Sequence, residues 1–201
     1  MKSETLKQIK YTVIVEPLAG ELACGDHYLV KELHDATLIA VIDGLGHGDQ
    51  AELAAKTAIA TINANAHEPL NVLLRHCNES LLDTRGSAIT LVRISQKQVI
   101  TYQAIGNVSG VYWHLNEREK FQAHSFLLQN GIVGNRLPSL LPIKGISLAS
   151  GDKLILATDG IKKEFENIPP NWSSIDQVAH DIFTTYRDKK DDGLVLVAQL
   201  L

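Results

Sequence analysis

Two apolar runs in this chain end the same way: Thr37-Leu-Ile-Ala-Val-Ile leads into Asp43-Gly44, and Lys153-Leu-Ile-Leu-Ala-Thr leads into Asp159-Gly160. Runs this short and this apolar read as central strands covered on both faces, so the fold must supply a layer on each side of them. They also constrain the chemistry. A carboxylate at the mouth of a buried strand is costly when unpaired, and a hard cation is its natural compensation. Asp26, which follows Gly25, and the pair Asp191-Asp192 also stand beside strand-like runs.

Residues 11–15 and 27–30 read as further strands. The spacing then becomes helical. Asp49 offers an N-cap, with Glu52 three residues later to complete a capping box. Ala51, Ala54, Ala55, Ala58, Ile59 and Ile62 follow at helical intervals. The Pro69 region starts a second helix, whose apolar stripe is Val72, Leu73, Leu74, Cys77 and Leu81. Two helices with no strand between them predict an antiparallel pair lying on a sheet.

After Gly86 alternation returns. Residues 88–94, 98–105, 108–113 and 120–127 predict four strands in an antiparallel meander, continued by 146–148 and 153–158. A helix over 174–186, capped by Ser173 or Ser174, precedes a last strand over 194–200. No repeat or Pro/Ser-rich linker divides the 201 residues, so a single domain over 1–201 is expected. The predicted class is α+β, an antiparallel β-sandwich with helices on its outer faces.

A net charge of -4 argues against a nucleic-acid binder, which needs a basic face. Cys24 and Cys77 lack metal-like spacing and read as reduced, buried thiols. The first ten residues mix charged, polar and apolar types, so no signal peptide is expected. No apolar run reaches the roughly 18 residues that span a bilayer. A cytoplasmic protein without membrane contact is expected.

Alternation places Asp43 on the face of Val41 and Ile39, and Asp159 on the face of Ala157 and Ile155. If the two strands are neighbours, their carboxylates converge at one sheet edge, which Asp26 and Asp191 could also approach. An oxygen-only donor set favours magnesium or manganese over zinc. Two such ions about 4 Å apart can activate a water for in-line attack on phosphorus. Either Asp-Gly taken alone reads equally well as a turn. The glycines of Gly44-Leu45-Gly46-His47-Gly48 imitate a dinucleotide fingerprint, but Asp49 stands where the third glycine belongs, and a second helix follows instead of a strand.

The pieces Gly25-Asp26, Asp43-Gly44-Leu-Gly46-His47-Gly48, Gly86-Ser-Ala-Ile-Thr90-Leu-Val-Arg93, Gly106-Asn107, Gly151-Asp152 through Asp159-Gly160-Ile161, and Asp191-Asp192-Gly-Leu-Val-Leu-Val occur in that order over nearly the whole chain. In this the chain resembles the metal-dependent type-2C serine/threonine protein phosphatases (the PPM class), in their bacterial SpoIIE-like branch. Its compact size is most similar to the stand-alone members that act on the stressosome.

The resemblance implies a four-layer α-β-β-α fold. It also implies hydrolysis of phosphoserine or phosphothreonine by a water activated by two Mn²⁺ or Mg²⁺ ions. Asp26 and Asp43 would be metal ligands, with Asp43 bridging both ions and Gly44 offering its carbonyl. Asp159 and Asp191 would complete the second ion's shell, with Asp192 as the alternate. Thr90 and Thr158 would be supporting strand positions. The partners would be phosphorylated regulatory proteins of a stressosome-type scaffold, met by a monomer.

The animal-type members place a His directly after Asp-Gly; here Leu45 stands there and His47 follows three residues after Gly44. Two readings of His47 stay open, general acid or a solvated residue leading into the helix. Lys31 is the nearby candidate for a phosphate-binding cation. The alternative to an enzyme is a silent phosphatase-like module that docks partner proteins.

Overall fold

The computed structural model describes residues 1–115, 121–140, 143, 145–167 and 174–201. In chain order it contains β1 (Lys2–Thr5), β2 (Ile9–Glu16), β3 (Asp26–Glu32), β4 (Ala36–Gly44), α1 (Asp49–Ala64), α2 (Leu70–Ser80), β5 (Ser87–Ser95) and β6 (Val99–Ile105). There follow β7 (Ser109–Leu115), β8 (Phe121–Ser125), β9 (Ile146–Ser147), β10 (Lys153–Ala157), a 3-10 turn over Lys163–Asn167, α3 (Ile175–Tyr186) and β11 (Gly193–Leu200). One sheet has the order β1-β2-β11-β10-β7-β8, the other β3-β4-β5-β6-β9, and every pairing between these strands is antiparallel.

Alternation along the strands sorts the apolar side chains into three layers. Ile39 and Val41 of β4 face Leu154, Leu156, Leu194 and Leu196 of the opposite sheet, forming the core between the sheets. The other face of β4, Leu38, Ala40 and Ile42, packs under Ala54, Ala55 and Ala58 of α1 and Leu73, Leu74 and Cys77 of α2. On the far side, Ile155, Val195 and Val197 pack against Val178, Ala179, Ile182 and Phe183 of α3. The result is the expected α-β-β-α stack, with β4 and β11 covered on both faces. Removing a buried leucine from any of these layers costs about 2–5 kcal/mol.

Several local expectations are corrected. Gly48, not Asp49, is the N-cap of α1, without a side-chain cap bond. Its φ of 75° favours glycine and brings the preceding loop into the helix. Asp49 and Glu52 lie in the first turn, where they complement the helix dipole, and Glu52 pairs with Lys56 at 2.8 Å. Ser174 does cap α3, accepting the Asp176 amide at 3.2 Å; Ser173 lies outside the described residues. β1 has no apolar pattern to announce it, since all four of its side chains are exposed.

The predicted meander is not one meander. β5 and β6 pair in one sheet, but β7 and β8 belong to the other, and β9 and β10 divide in the same way. The chain crosses the sandwich at Gly106, whose φ is 94° and where a Cβ would lie 2.5 Å from that of Ala88. The start of the fourth predicted strand, at Lys120, lies outside the described residues. Among the described residues no helix is long and apolar enough to cross a membrane.

Candidate metal centre

Asp26, the first residue of β3, is the direct cross-strand partner of Asp43, near the end of β4. Cross-strand partners share a face, so two carboxylates stand side by side at one end of the inter-sheet core. Asp159 reaches this place from the other sheet. β4 and β10 are therefore not neighbours, as the alternation argument had supposed; their ends meet across the sandwich. Ile155 and Ala157 face α3, so Asp159 is not aimed by strand alternation either. The chain leaves β10 at Ala157, and Thr158 keeps the inward position instead.

Threonine and asparagine side chains orient these acids. The Thr158 hydroxyl donates to Asp26 Oδ2 at 2.6 Å and accepts the Leu194 amide at 2.9 Å, tying the two sheets together at the carboxylate. The Asn107 amide donates to Asp159 Oδ2 at 2.5 Å and also hydrogen-bonds Asp43. Thr90 bonds the Val108 carbonyl and supports the neighbouring loop.

The adjacent acids Asp191 and Asp192 have different tasks. Both oxygens of Asp192 are occupied: Oδ1 accepts the Leu18 amide and Oδ2 the Gly25 amide, each at 2.7 Å. Asp192 is 3% exposed and clamps the loop before Asp26. Asp191 accepts the amide of its own neighbour, Asp192, on Oδ1 and is half-buried at the edge. Its negative charge reaches both Asp43 and Asp159.

Burial and mutual repulsion raise the proton affinity of the cluster. Burial, then the Asp43 charge, pushes Asp26 well above the usual carboxylate range. Asp43 is pushed up to about 8, by burial first and by Asp159 and Asp191 next. Asp159 is raised too, by burial and then by Asp191. Among the described residues no Lys, Arg or His forms an ion pair with any of these acids.

Close backbone approach brings the loops together. A Cβ on Gly44 would lie 2.1 Å from the Ala51 carbonyl, so only glycine lets the end of β4 sit against α1. Arg187 joins the Asp159 and Asp191 loops from below. Its guanidinium donates to the carbonyls of Gly160 (3.3 Å), Asp192 (3.1 Å), Asp191 (2.5 Å) and Glu16 (3.4 Å), and to that of Asp188.

The structure thus brings together Asp26, Asp43, Asp159 and Asp191, beside Gly44. It does not bring Lys31, whose ammonium donates to the Asn63 carbonyl and side chain, both at 2.8 Å. His47 is exposed, with Nδ1 2.5 Å from Glu21 Oε1. Sequence reasoning gave Asn107 no role and passed over Arg187. Asn107 sat within a motif that could have flagged it, whereas an arginine following a helix carries no local signal.

Among the described residues no three His, Cys, Asp or Glu side chains close on one point as a ready-made metal cage would. Magnesium does not demand one, since it keeps several waters and is held by one or two carboxylates at a time. An all-oxygen donor set with uncompensated repulsion fits hard divalent ions.

Comparison with known proteins agrees with this architecture. The chain is 24% identical over 183 residues to the phosphoserine phosphatase RsbX of Bacillus subtilis (strain 168), covering 90% of this chain and 89% of that protein. It superposes on RsbX solved in complex with magnesium with a TM-score of 0.89 at 21% identity, over 100% of this chain and 99% of that one. A chain from a study of the bacterial stressosome, a modular system adapted to control secondary messenger signaling, matches with a TM-score of 0.84 at 28% identity, over 96% of this chain and all of that one. The family model of Stage II sporulation protein E (SpoIIE) matches residues 34–200, from the strand that carries Asp43 to the last strand of the sandwich, and the chain belongs to that family.

Proposed function

We propose that this protein is a metal-dependent phosphoprotein phosphatase that hydrolyses phosphoserine or phosphothreonine. The observation that carries this reading is the convergence of Asp26, Asp43, Asp159 and Asp191 from separate segments, with no ion-pair partner among the described residues. Asp26 and Asp43, with the Gly44 carbonyl, would hold one Mn²⁺ or Mg²⁺, and Asp43, Asp159 and Asp191 the second. Bound divalent ions supply Lewis-acid activation of water and neutralise charge on the phosphoryl oxygens.

The chain's own part is to aim these acids. Thr158 fixes Asp26, Asn107 fixes Asp159, and Asp192 and Arg187 hold the loops that carry them. His47, steadied through Nδ1 by Glu21, is assigned as proton donor to the departing serine or threonine oxygen. Cys24 is the thiol nearest the acids, but burial pushes it up to about 12, so it stays protonated and is no nucleophile. A silent docking module would have no use for four repelling carboxylates.

The same reading extends to residues 1–201 as one catalytic domain, acting as a monomer in the cytoplasm on phosphorylated regulatory proteins of a stressosome-type scaffold. The likeness to a chain from a study of the bacterial stressosome supports that partner class. Phosphate release from a kinase-phosphorylated scaffold protein, with and without added Mn²⁺, tests it. Metal-dependent release is expected, and none with either metal would remove the enzymatic reading.

A further inference from the structure

Beside the carboxylate edge lies an open cleft of about 520 Å³. Its apolar lining includes Leu45, which follows Gly44, together with Leu128 and Ile132. Asn107, the residue that orients Asp159, and Asn130 contribute amides, and Lys163 contributes a cation. Leu127, next to Leu128 in the chain, is 64% exposed. The cleft and the edge are continuous, because Leu45 and Asn107 belong to both. A polypeptide that delivers a phosphorylated side chain to Asp43 and Asp159 therefore lays its neighbouring residues in this cleft.

The lining is selective in charge. Among the described residues it contains no carboxylate, although acids dominate the adjoining edge. Lys163 is exposed on the 3-10 turn just after Asp159-Gly160-Ile161, and none of the ion pairs among the described residues uses it. Two divalent ions would offset the four acids, and Lys163 is the cation that the described cleft lining presents to a bound segment. Extended backbone could bond the Asn107 and Asn130 amides without regard to sequence, while Leu45, Leu128 and Ile132 offer an apolar floor.

We propose that this cleft is a specificity subsite for the residues flanking the phosphorylated one, with Lys163 selecting an acidic side chain and the leucine–isoleucine floor an apolar one. The inference rests on the phosphatase reading above and names the sequence class of its substrates: phosphoserine or phosphothreonine beside an apolar and an acidic residue on one fixed side.

The test uses synthetic phosphoserine peptides that differ only in carrying Glu, Ala or Lys at one flanking position, on either side of the phosphoserine. On one side, KM should be lowest for Glu and highest for Lys, spread over about three- to ten-fold, as an exposed ion pair allows. Lys163→Glu should reverse that order of KM. Dissociation constants of the same peptides, measured by fluorescence anisotropy on Asp43→Asn, should rank alike in the absence of turnover. Equal KM and equal affinity for all peptides, or a ranking that Lys163→Glu leaves unchanged, overturns the subsite. If the wild-type protein releases no phosphate while the Asp43→Asn affinities still follow charge, the subsite stands and the hydrolytic reading falls.

Discussion

Asp26 and Asp43 face each other across the β3–β4 ladder, two carboxylates in direct register at the end of the inter-sheet core. Like charges placed opposite one another destabilise a sheet. The arrangement is stable only where a proton or a cation shares the pair. That relationship links the fold's energetics to its chemistry, and the predictions follow from it.

Divalent metal should raise both stability and activity. Chelation is expected to abolish phosphate release, and Mn²⁺ to restore it; the melting temperature should climb with free metal as binding favours the native state. Asp43→Asn should abolish release and the metal-induced shift together while leaving the circular dichroism spectrum unchanged. Full turnover of the wild-type protein in excess EDTA after dialysis would refute the metal reading.

In the metal-free protein, stability should fall as pH rises. A carboxylate whose folded pKa lies above its unfolded value stabilises fully below the ordinary carboxylate range and loses that contribution as pH passes through the folded pKa. For Asp43 the window runs from the ordinary range, about 4, to about 8, and Asp26 and Asp159 act in the same direction. Asp176, held low by Ser3 and Thr12, acts oppositely at acid pH. The informative measurement is thus the difference between wild type and Asp43→Asn in urea melts with EDTA. The variant should gain relative stability toward pH 8, and a constant difference would contradict the repulsion.

Asp191 and Asp192 should separate cleanly. Asp192→Asn removes charge-assisted bonds from the Leu18 and Gly25 amides and should cost about 2–4 kcal/mol in urea unfolding. Asp191→Asn should change stability by less than about 1 kcal/mol yet weaken metal binding and lower kcat. The opposite pattern would exchange their roles.

Arg187→Ala should leave carbonyls of both acid-bearing loops without their donor. We expect a loss of about 2–4 kcal/mol and weaker Mn²⁺ binding by isothermal titration. Arg187→Lys should rescue little, because one ammonium cannot span the carbonyls that the guanidinium fork reaches. Metal affinity unchanged in both variants would confine Arg187 to stability alone.

The role of His47 can be read from the leaving group. His47→Gln should lower kcat on a phosphoserine peptide by about 10²-fold or more, the usual scale of general acid catalysis. It should spare p-nitrophenyl phosphate, whose leaving group needs no proton. Equal losses on both substrates would remove the assignment.

The local pattern of residues was enough to announce β4 and β10 as buried strands ending in acid, the stripe Leu73, Leu74 and Cys77 on α2, and the Ser174 cap of α3. These features depend on neighbours a few positions apart, which periodicity and capping chemistry encode. The alternation of polar and apolar residues likewise required a sandwich covered by helices. What it could not decide was which sheet each strand would join, that Asp43 and Asp159 would meet across the sandwich and not along one edge, or that Asp192 would be a clamp while Asp191 stayed open. Nor could it turn Lys31 toward Asn63 or assign Arg187 to the loop carbonyls. Those outcomes rest on contacts such as Thr158 with Asp26, 132 positions apart, and Gly25 with Asp192, 167 apart. Only close packing of the whole chain brings such pairs within hydrogen-bond reach, so only the tertiary structure could select among them.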